Sequence, residues 1–254
     1  LLEEFEEYEA FIVDKPHYKH KKLDEIVAFL KEGWDVSEKY PASEYSLLEF
    51  GDFKDKKIYV SFDLRSANWS AWKEIMGKND LGAWVDFIKT FDVHPLLAKS
   101  KSFRQYIFGN THPKRLQVKQ KEIMGRFLKT IPENLHQYLV SRRPDELLFE
   151  LTQENFAEIY PQLNAVLSIP ENINRFRKDI FQITRHQSAG ENVAIKEMLY
   201  VLDDGTNVGV VDRGLFQIDG NRFFIHYKNL ILKQPIEERD LLFSTGKHMA
   251  KWVL

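Results

Sequence analysis

Lys57-Ile58-Tyr59-Val60-Ser61-Phe62-Asp63-Leu64 is a short run rich in β-branched and aromatic residues. A strand with one wet face alternates apolar and polar residues, whereas this run is apolar on both faces, as a strand in the middle of a sheet must be. It is therefore predicted to be a central strand. One residue violates the pattern. Asp63 sits within or at the end of that strand, where a carboxylate costs several kcal/mol (~) unless it is paired or bound to a metal. The alternative is that Asp63 caps the helix that follows, and the sequence leaves both readings open.

Working outward, residues 1–50 read as helical, with Leu23, Ile26, Val27 and Leu30 at helical spacing and Gly33 as a stop. His17-Tyr-Lys-His20-Lys-Lys22 looks like a metal site only superficially, because its lysines repel a cation. After the central strand, Ser66 to Met76 is predicted helical, as are residues 82–91 and 94–108. Trp69 and Trp72 lie at helical spacing there and read as core residues rather than as base-stacking platforms. Thr111 is expected to cap a helix that opens at Pro113 and runs to Lys129. Residues 137–140 and 146–151 are predicted strands joined by a kink at Arg142-Arg143-Pro144, followed by a helix over 154–167 and a strand over 179–184. A polar loop is expected at 187–192. Residues 196–232 then read as a β-meander of four short strands, punctuated by Asp204-Gly205, Arg213-Gly214 and Asp219-Gly220.

The expected fold class is α+β, with a helical N-terminal region (1–55), an antiparallel sheet with helices on one face (56–190) and a β-rich C-terminal part (191–254). The chain has 254 residues, 43% hydrophobic and 29% charged, enough to bury a substantial core in one large domain or two small ones. It contains no Cys, which excludes disulfides, thiolate metal sites and a cysteine nucleophile and suits a reducing intracellular compartment, cytoplasmic or similar. No apolar run approaches the roughly 20 residues of a membrane span, and Leu1 to Glu9 is acidic, unlike the start of a signal peptide. A soluble protein without a membrane partner is expected.

The net charge of −2 hides an asymmetry. Lys99, Lys101, Arg104, Lys114, Arg115, Lys119, Lys121, Arg126 and Lys129 face one acid, Glu122, within 31 residues. One-sign clustering of this kind attracts polyanions, so a nucleic acid or nucleotide partner is expected. A solvated helix face, its field offset by acids elsewhere, is the bland alternative. A second acidic pair, Asp145-Glu146, lies at the strand–turn–strand bend. Were the two strands neighbours, Asp63 and Asp145 would converge, and carboxylates so placed can hold Mg²⁺. The basic helix between them in sequence carries Lys114, Arg115 and Lys119 in its first turns, side chains suited to neutralising a triphosphate.

These residues together resemble the palm domain of right-hand nucleic acid polymerases and reverse transcriptases. Strand-Asp63-Leu-Arg-Ser-Ala-Asn68-helix is similar to the first catalytic motif of that family, in which an Asp ends a strand and a sugar-sensing residue follows five positions later. Lys114 to Gly125 resembles the basic helix that contacts the incoming nucleotide, and Arg143-Pro-Asp145-Glu146-Leu-Leu the acidic hairpin that completes the metal site. The resemblance covers residues 56–185. It implies metal ligation by Asp63, Asp145 and Glu146, phosphate contacts from Arg104, Lys114, Arg115 and Lys119, a sugar beside Asn68, and tolerance of ribonucleotides. Asp145-Glu146 departs from the family's paired Asp, Pro144 is foreign to a hairpin strand, and no thumb is apparent. A non-catalytic nucleic-acid-binding or assembly protein and a metal nuclease are the competing expectations. The nuclease lacks its acid-x-Lys after Asp145. Neither a Gly-x4-Gly-Lys loop nor a Gly-x-Ser-x-Gly elbow is present.

Overall fold

The computed structural model describes residues 16–34, 53–202, 207–218, 220–244 and 249–251. The side chains of the His17–Lys22 tract up to residue 21, the Asp204-Gly205 turn and Trp252 lie outside the described set. The chain divides into two units, Leu1–Glu44 with Leu64–Phe127 and Tyr45–Asp63 with Leu128–Leu254.

The first unit is helical: α1 (Pro16–Lys31), α2 (Ala67–Ile75), α3 (Trp84–Lys89), α4 (Pro95–Lys99), α5 (Lys101–Gly109) and most of α6 (Pro113–Thr130). Its centre is aromatic. Trp69 and Trp72 stack with ring centroids 5.1 Å apart, Phe87 stacks on Trp69, and Trp84 meets Trp69 edge-on. Both tryptophans are core residues, as their spacing predicts. Two of the three indoles are satisfied by backbone, Trp72 Nε1 donating to the Leu30 carbonyl (2.8 Å) and Trp69 Nε1 to that of Gly82 (3.0 Å), while Trp84 Nε1 is buried without a hydrogen-bond partner. Gly33 ends α1 at φ +76°, a left-handed conformation that glycine adopts without strain.

The second unit is built on a six-stranded antiparallel sheet ordered β2-β3-β1-β4-β5-β6. The strands are β1 (Ile58–Leu64), β2 (Leu139–Arg142), β3 (Glu146–Leu151), β4 (Phe176–Ser188), β5 (Glu191–Val201) and β6 (Val208–Phe216). The α+β class is thus as expected, and β1 is central, flanked by β3 and β4. Between β3 and β4 runs α7 (Gln153–Ala165), opened by a capping box between Thr152 and Asn155. In order, β1, helices, β2, β3, α7 and β4 form two interlocked split β-α-β units: β3 lies between β1 and β2, and β1 between β3 and β4.

Side chains alternate between the two faces of a sheet, so the register assigns each residue to one of them. Lys178 of β4 reaches Tyr160 and Asn164 of α7. Its neighbours in sequence, Arg177 and Asp179, must point the other way. Arg177 meets Asp63, and Tyr59 stacks on Phe181 at 5.4 Å, so Tyr59, Ser61 and Asp63 share that second face. Phe62 and Phe149 face α7's side and pack edge-on at 5.9 Å. On the second face Tyr59, Leu148, Phe181, Ile183 and Ala194 form an apolar cluster with Phe53.

The C-terminal part departs from expectation. The antiparallel meander is β4-β5-β6, and it belongs to the main sheet rather than to a separate region. The expected polar loop at 187–192 is a two-residue hairpin turn, Ala189-Gly190, both at positive φ, because Gln187 and Asn192 pair and carry the strands to the turn. Arg213-Gly214 lies inside β6 opposite Glu197 and Lys196. Residues expected as the last strands are helical, α8 (Gly220–His226) continuing as a π turn over Tyr227–Ile231. Burial of Ile225, His226, Lys228 and Leu230 outweighs the strand preference of their aromatic neighbours. Thr111 does not cap α6: its hydroxyl donates to the Phe108 carbonyl (2.7 Å), and the first bonds of α6 run to the His112 carbonyl. The short strands β7 (Leu242–Ser244) and β8 (Met249–Lys251) pair with each other.

Phe149→Ala removes a ring that is fully buried between strands and the α7 layer, with expected destabilisation of about 3–5 kcal/mol. Urea unfolding measures it. A loss under 1 kcal/mol (~) would show that this face of the sheet is loosely packed.

Candidate active site

At the C-terminal end of β1 the antiparallel register sets Asp63 directly across from Glu146, the first residue of β3. Asp145 immediately precedes it in the hairpin turn. The two acidic segments, more than eighty residues apart in sequence, therefore meet in one corner of the sheet. Asp179 of β4 joins them on the same face and shares the Arg177 guanidinium with Asp63, at 2.9 and 3.5 Å respectively.

Each acid is held differently. Glu146 is fixed on both oxygens: Ser61 Oγ donates to Oε1 (2.6 Å), and Arg143 lies 3.3 Å from Oε2. The Arg143 amide also donates to the Glu146 carbonyl (2.8 Å), closing the turn around Pro144, so the proline is accommodated in the bend rather than in a strand. Asp63 does not cap α2, which begins at Ser66 in a left-handed conformation. Burial pushes the Asp63 carboxyl up to about 6; Arg177 pulls against that shift, and the charges of Asp145, Glu146 and Asp179 add to it. Lys196 of β5 lies over the Phe181 ring at 3.9 Å. Burial lowers its ammonium, while Asp179 and Glu146 oppose that shift.

Sequence reasoning missed Asp179, Arg177 and Lys196. The alternation Arg177-x-Asp179-x-Phe181-x-Ile183 carried the signal, since it puts two charges on the same side as two residues of an apolar face.

The remaining expected site residues lie in the helical unit. Asn68 is on α2, its Oδ1 accepting from Gln120 Nε2 of α6 (2.8 Å), which fixes the amide. Arg104 is half-buried on α5, and burial lowers its guanidinium without removing a charge that arginine always keeps. Lys114 is exposed. Arg115 is buried, with its guanidinium 5.8 Å from the Trp34 ring centre, a cation–π contact rather than a solvent-facing charge. Lys119 is paired with Glu122 at 2.5 Å, and Arg126 with Glu74.

Among the described residues no three His, Asp or Glu side chains are arranged to hold a metal by themselves. Magnesium asks for less, because one or two carboxylates suffice when substrate phosphates and waters complete an all-oxygen shell. Asp63, Asp145 and Glu146 bring carboxylates to this corner, and burial first, then the neighbouring acids against the pull of Arg177, raises the Asp63 carboxyl.

A Ser-His-acid chain exists elsewhere. His226 Nδ1 is 3.1 Å from Ser188 Oγ and Nε2 is 3.3 Å from Glu191. Ser188 and His226 are buried, and the Ser188 hydroxyl donates to Asn229, so this network ties α8 and its π turn to the β4–β5 hairpin instead of presenting a nucleophile.

Comparisons with family models, curated proteins and solved structures returned no match. Among the described residues no helix is long and apolar enough to cross a membrane.

A carboxyl raised above its ordinary range binds its proton more tightly in the folded state. The stability it contributes is complete below the ordinary carboxyl range and is lost as pH rises through about 6. Asp63→Asn mimics the protonated form. Its stability should match the parent's near pH 3 and exceed it above pH 7, by about 1–2 kcal/mol once solvent screening is allowed for. A difference that does not change with pH contradicts the charge balance described above.

Proposed function

We propose that the acidic corner of the sheet is the centre of a Mg²⁺-dependent nucleotidyl transfer on nucleic acid, with a palm-like arrangement. The observation that carries this reading is the register of β1 against β3, which sets Asp63 opposite Glu146 and beside the hairpin acid Asp145. The split β-α-β order and the placement of a strand-end Asp against an acidic hairpin both support the palm resemblance.

In this reading Asp63 and Asp145 or Glu146 hold the ion. Bound there with the substrate's phosphates, Mg²⁺ would lower the pKa of the attacking hydroxyl and stabilise the leaving oxygen. The chain's part is orientation. Ser61 and Arg143 hold the Glu146 carboxylate in place without substrate. Among the described residues Asp63 is paired with Arg177, a solvent-exposed partner, and so is the acid that can adjust.

The test is nucleotide incorporation into a primed or self-primed nucleic acid with Mg²⁺. Asp63→Asn should lower it by at least about 100-fold with circular dichroism unchanged, the scale expected when charge stabilisation at a reacting phosphate is lost. Retained incorporation in that variant removes Asp63 from the mechanism. Shortened nucleic acid without use of triphosphates would instead identify a nuclease.

One observation favours a second reading, a nucleic-acid-binding protein without catalysis. Lys99, Lys101 and Lys114 are exposed on α4 to α6, independent of any acid in the corner. Three phosphate contacts give a slope of log affinity on log salt of about −2 to −3. That slope should fall by about one unit in Lys114→Gln. If binding with this slope survives chelation and Asp63→Asn while no incorporation is detectable, the second reading replaces the first.

A further inference from the structure

His226 and Ser188 form a buried polar pair away from the acidic corner, at 2% and 4% exposure. The hydrogen bonds around them fix where the protons are. Glu191 Oε2 lies 3.3 Å from His226 Nε2, and a carboxylate only accepts, so Nε2 carries a hydrogen. On the other side of the ring, Nδ1 is 3.1 Å from Ser188 Oγ. That hydroxyl has one proton and donates it to Asn229 Oδ1 at 3.1 Å, so toward the ring it can only accept. Nδ1 must therefore carry a hydrogen as well, and a ring with both nitrogens protonated is an imidazolium. Among the described residues the facing anion is Glu191 of β5, shared with Arg222 of α8. The other charged groups on the elements packed here are turned elsewhere. His186, on the same face of β4 as Ser188, turns its Nε2 to Thr184. Lys228 of the π turn is held by Asp240 and Glu237, and Arg213 of β6 by Glu197.

We propose that His226 is a pH-sensitive latch: its imidazolium holds α8 and the π turn on the β4–β5 hairpin, and loss of one proton releases them. This is independent of any reading of the acidic corner. Each link of the network joins a different element: Ser188 closes β4, Glu191 opens β5, His226 ends α8 and Asn229 lies in the π turn. A neutral ring that keeps its Nε2 hydrogen on Glu191 turns a bare Nδ1 lone pair toward the Ser188 oxygen. If Ser188 rotates to donate to it, Asn229 Oδ1 loses its donor. Either way an acceptor is left unpaired beside buried side chains, and the ion pair with Glu191 is gone. The apolar contact beneath is small: Leu230 meets Val193 and Ile195, with the partly buried Leu215, Ile218 and Ile231 packed against them. The polar tie therefore carries a large share of the attachment. The sign follows from the proton count. The latch is closed at low pH and opens as pH rises through the titration of the ring. Opening bares Ile225 and Leu230 beside Phe223 and Phe224, which are already exposed on α8.

The experiment uses the full chain and follows two quantities over a pH series. Long-range proton–nitrogen NMR correlation reads the hydrogens on each His226 ring nitrogen. Amide protection factors, from which intrinsic exchange is divided out, read the opening of residues 222–231. Both ring nitrogens should be protonated at the acidic end. Protection of those amides should then fall about tenfold as the ring loses its proton, the scale of one buried hydrogen bond to a charged group. Protection in β1 and β3 should not follow it. His226→Gln, neutral at every pH, should show the opened level throughout, with no step. The parent's own titration decides the matter if that variant does not fold. A His226 ring with a single hydrogen, on Nε2, across the whole series, with Ser188 donating to Nδ1, overturns the proposal. So does protection over 222–231 that stays constant while the ring titrates.

Discussion

Burial of the Asp63 carboxyl at the end of β1, with the neighbouring carboxylates adding to its cost, is the constraint that the surrounding sheet has to accommodate. Asp63, Asp145, Glu146 and Asp179 occupy one corner, and an acid in a strand whose other members are buried has little water to share its charge with. The sheet tolerates this because β1 is pinned on both sides by apolar contacts that the charge cannot disrupt. Phe62 and Phe149 anchor one face, while Tyr59, Leu148 and Phe181 anchor the other. Burial makes ionising Asp63 costly, a cost that a neutral side chain there would not carry.

Register turns this local cost into a defined geometry. In the split β-α-β order the β2–β3 hairpin enters antiparallel to β1, so its turn must arrive at the C-terminal end of β1. Side-chain parity does the rest. A one-residue slip of β3 would put Glu146 on the face covered by α7 and swing Leu147 and Phe149 out of the core. The apolar residues of β3 therefore fix the position of its acid, and Ser61, three per cent exposed, completes the placement with a hydroxyl aimed at Glu146. Packing selects the register, and the register assembles the charges.

How far the sequence reveals this follows from the range of each signal. The centrality of β1 is legible because burial on both faces leaves a mark within eight residues. The hairpin acids are legible because a bend between two short apolar runs is local as well. Asp179, Arg177 and Lys196 are not, because their membership in the corner depends on which strands become neighbours, and nothing within β4 or β5 states that. The run Asn221-Arg-Phe-Phe-Ile-His-Tyr227 shows the opposite failure. Its aromatic content favours a strand locally, but Ile225, His226, Lys228 and Leu230 find buried partners only in a helix.

The basic segment shows why charge counted along a chain overstates charge presented to solvent. Nine cations within 31 residues suggest a strong field. The structure withdraws several of them: Arg115 lies under Trp34, Lys119 leans on Glu122, and Arg126 pairs with Glu74. The same helix must bury Leu116, Ile123 and Phe127, and its long side chains are recruited to cover the edges of that apolar stripe. The lysines left exposed and outside these pairs are Lys99, Lys101, Lys114 and Lys129. A surface built this way presents less charge than the sequence count and depends sharply on individual residues. Both are properties of a surface whose charge was first committed to holding helices together.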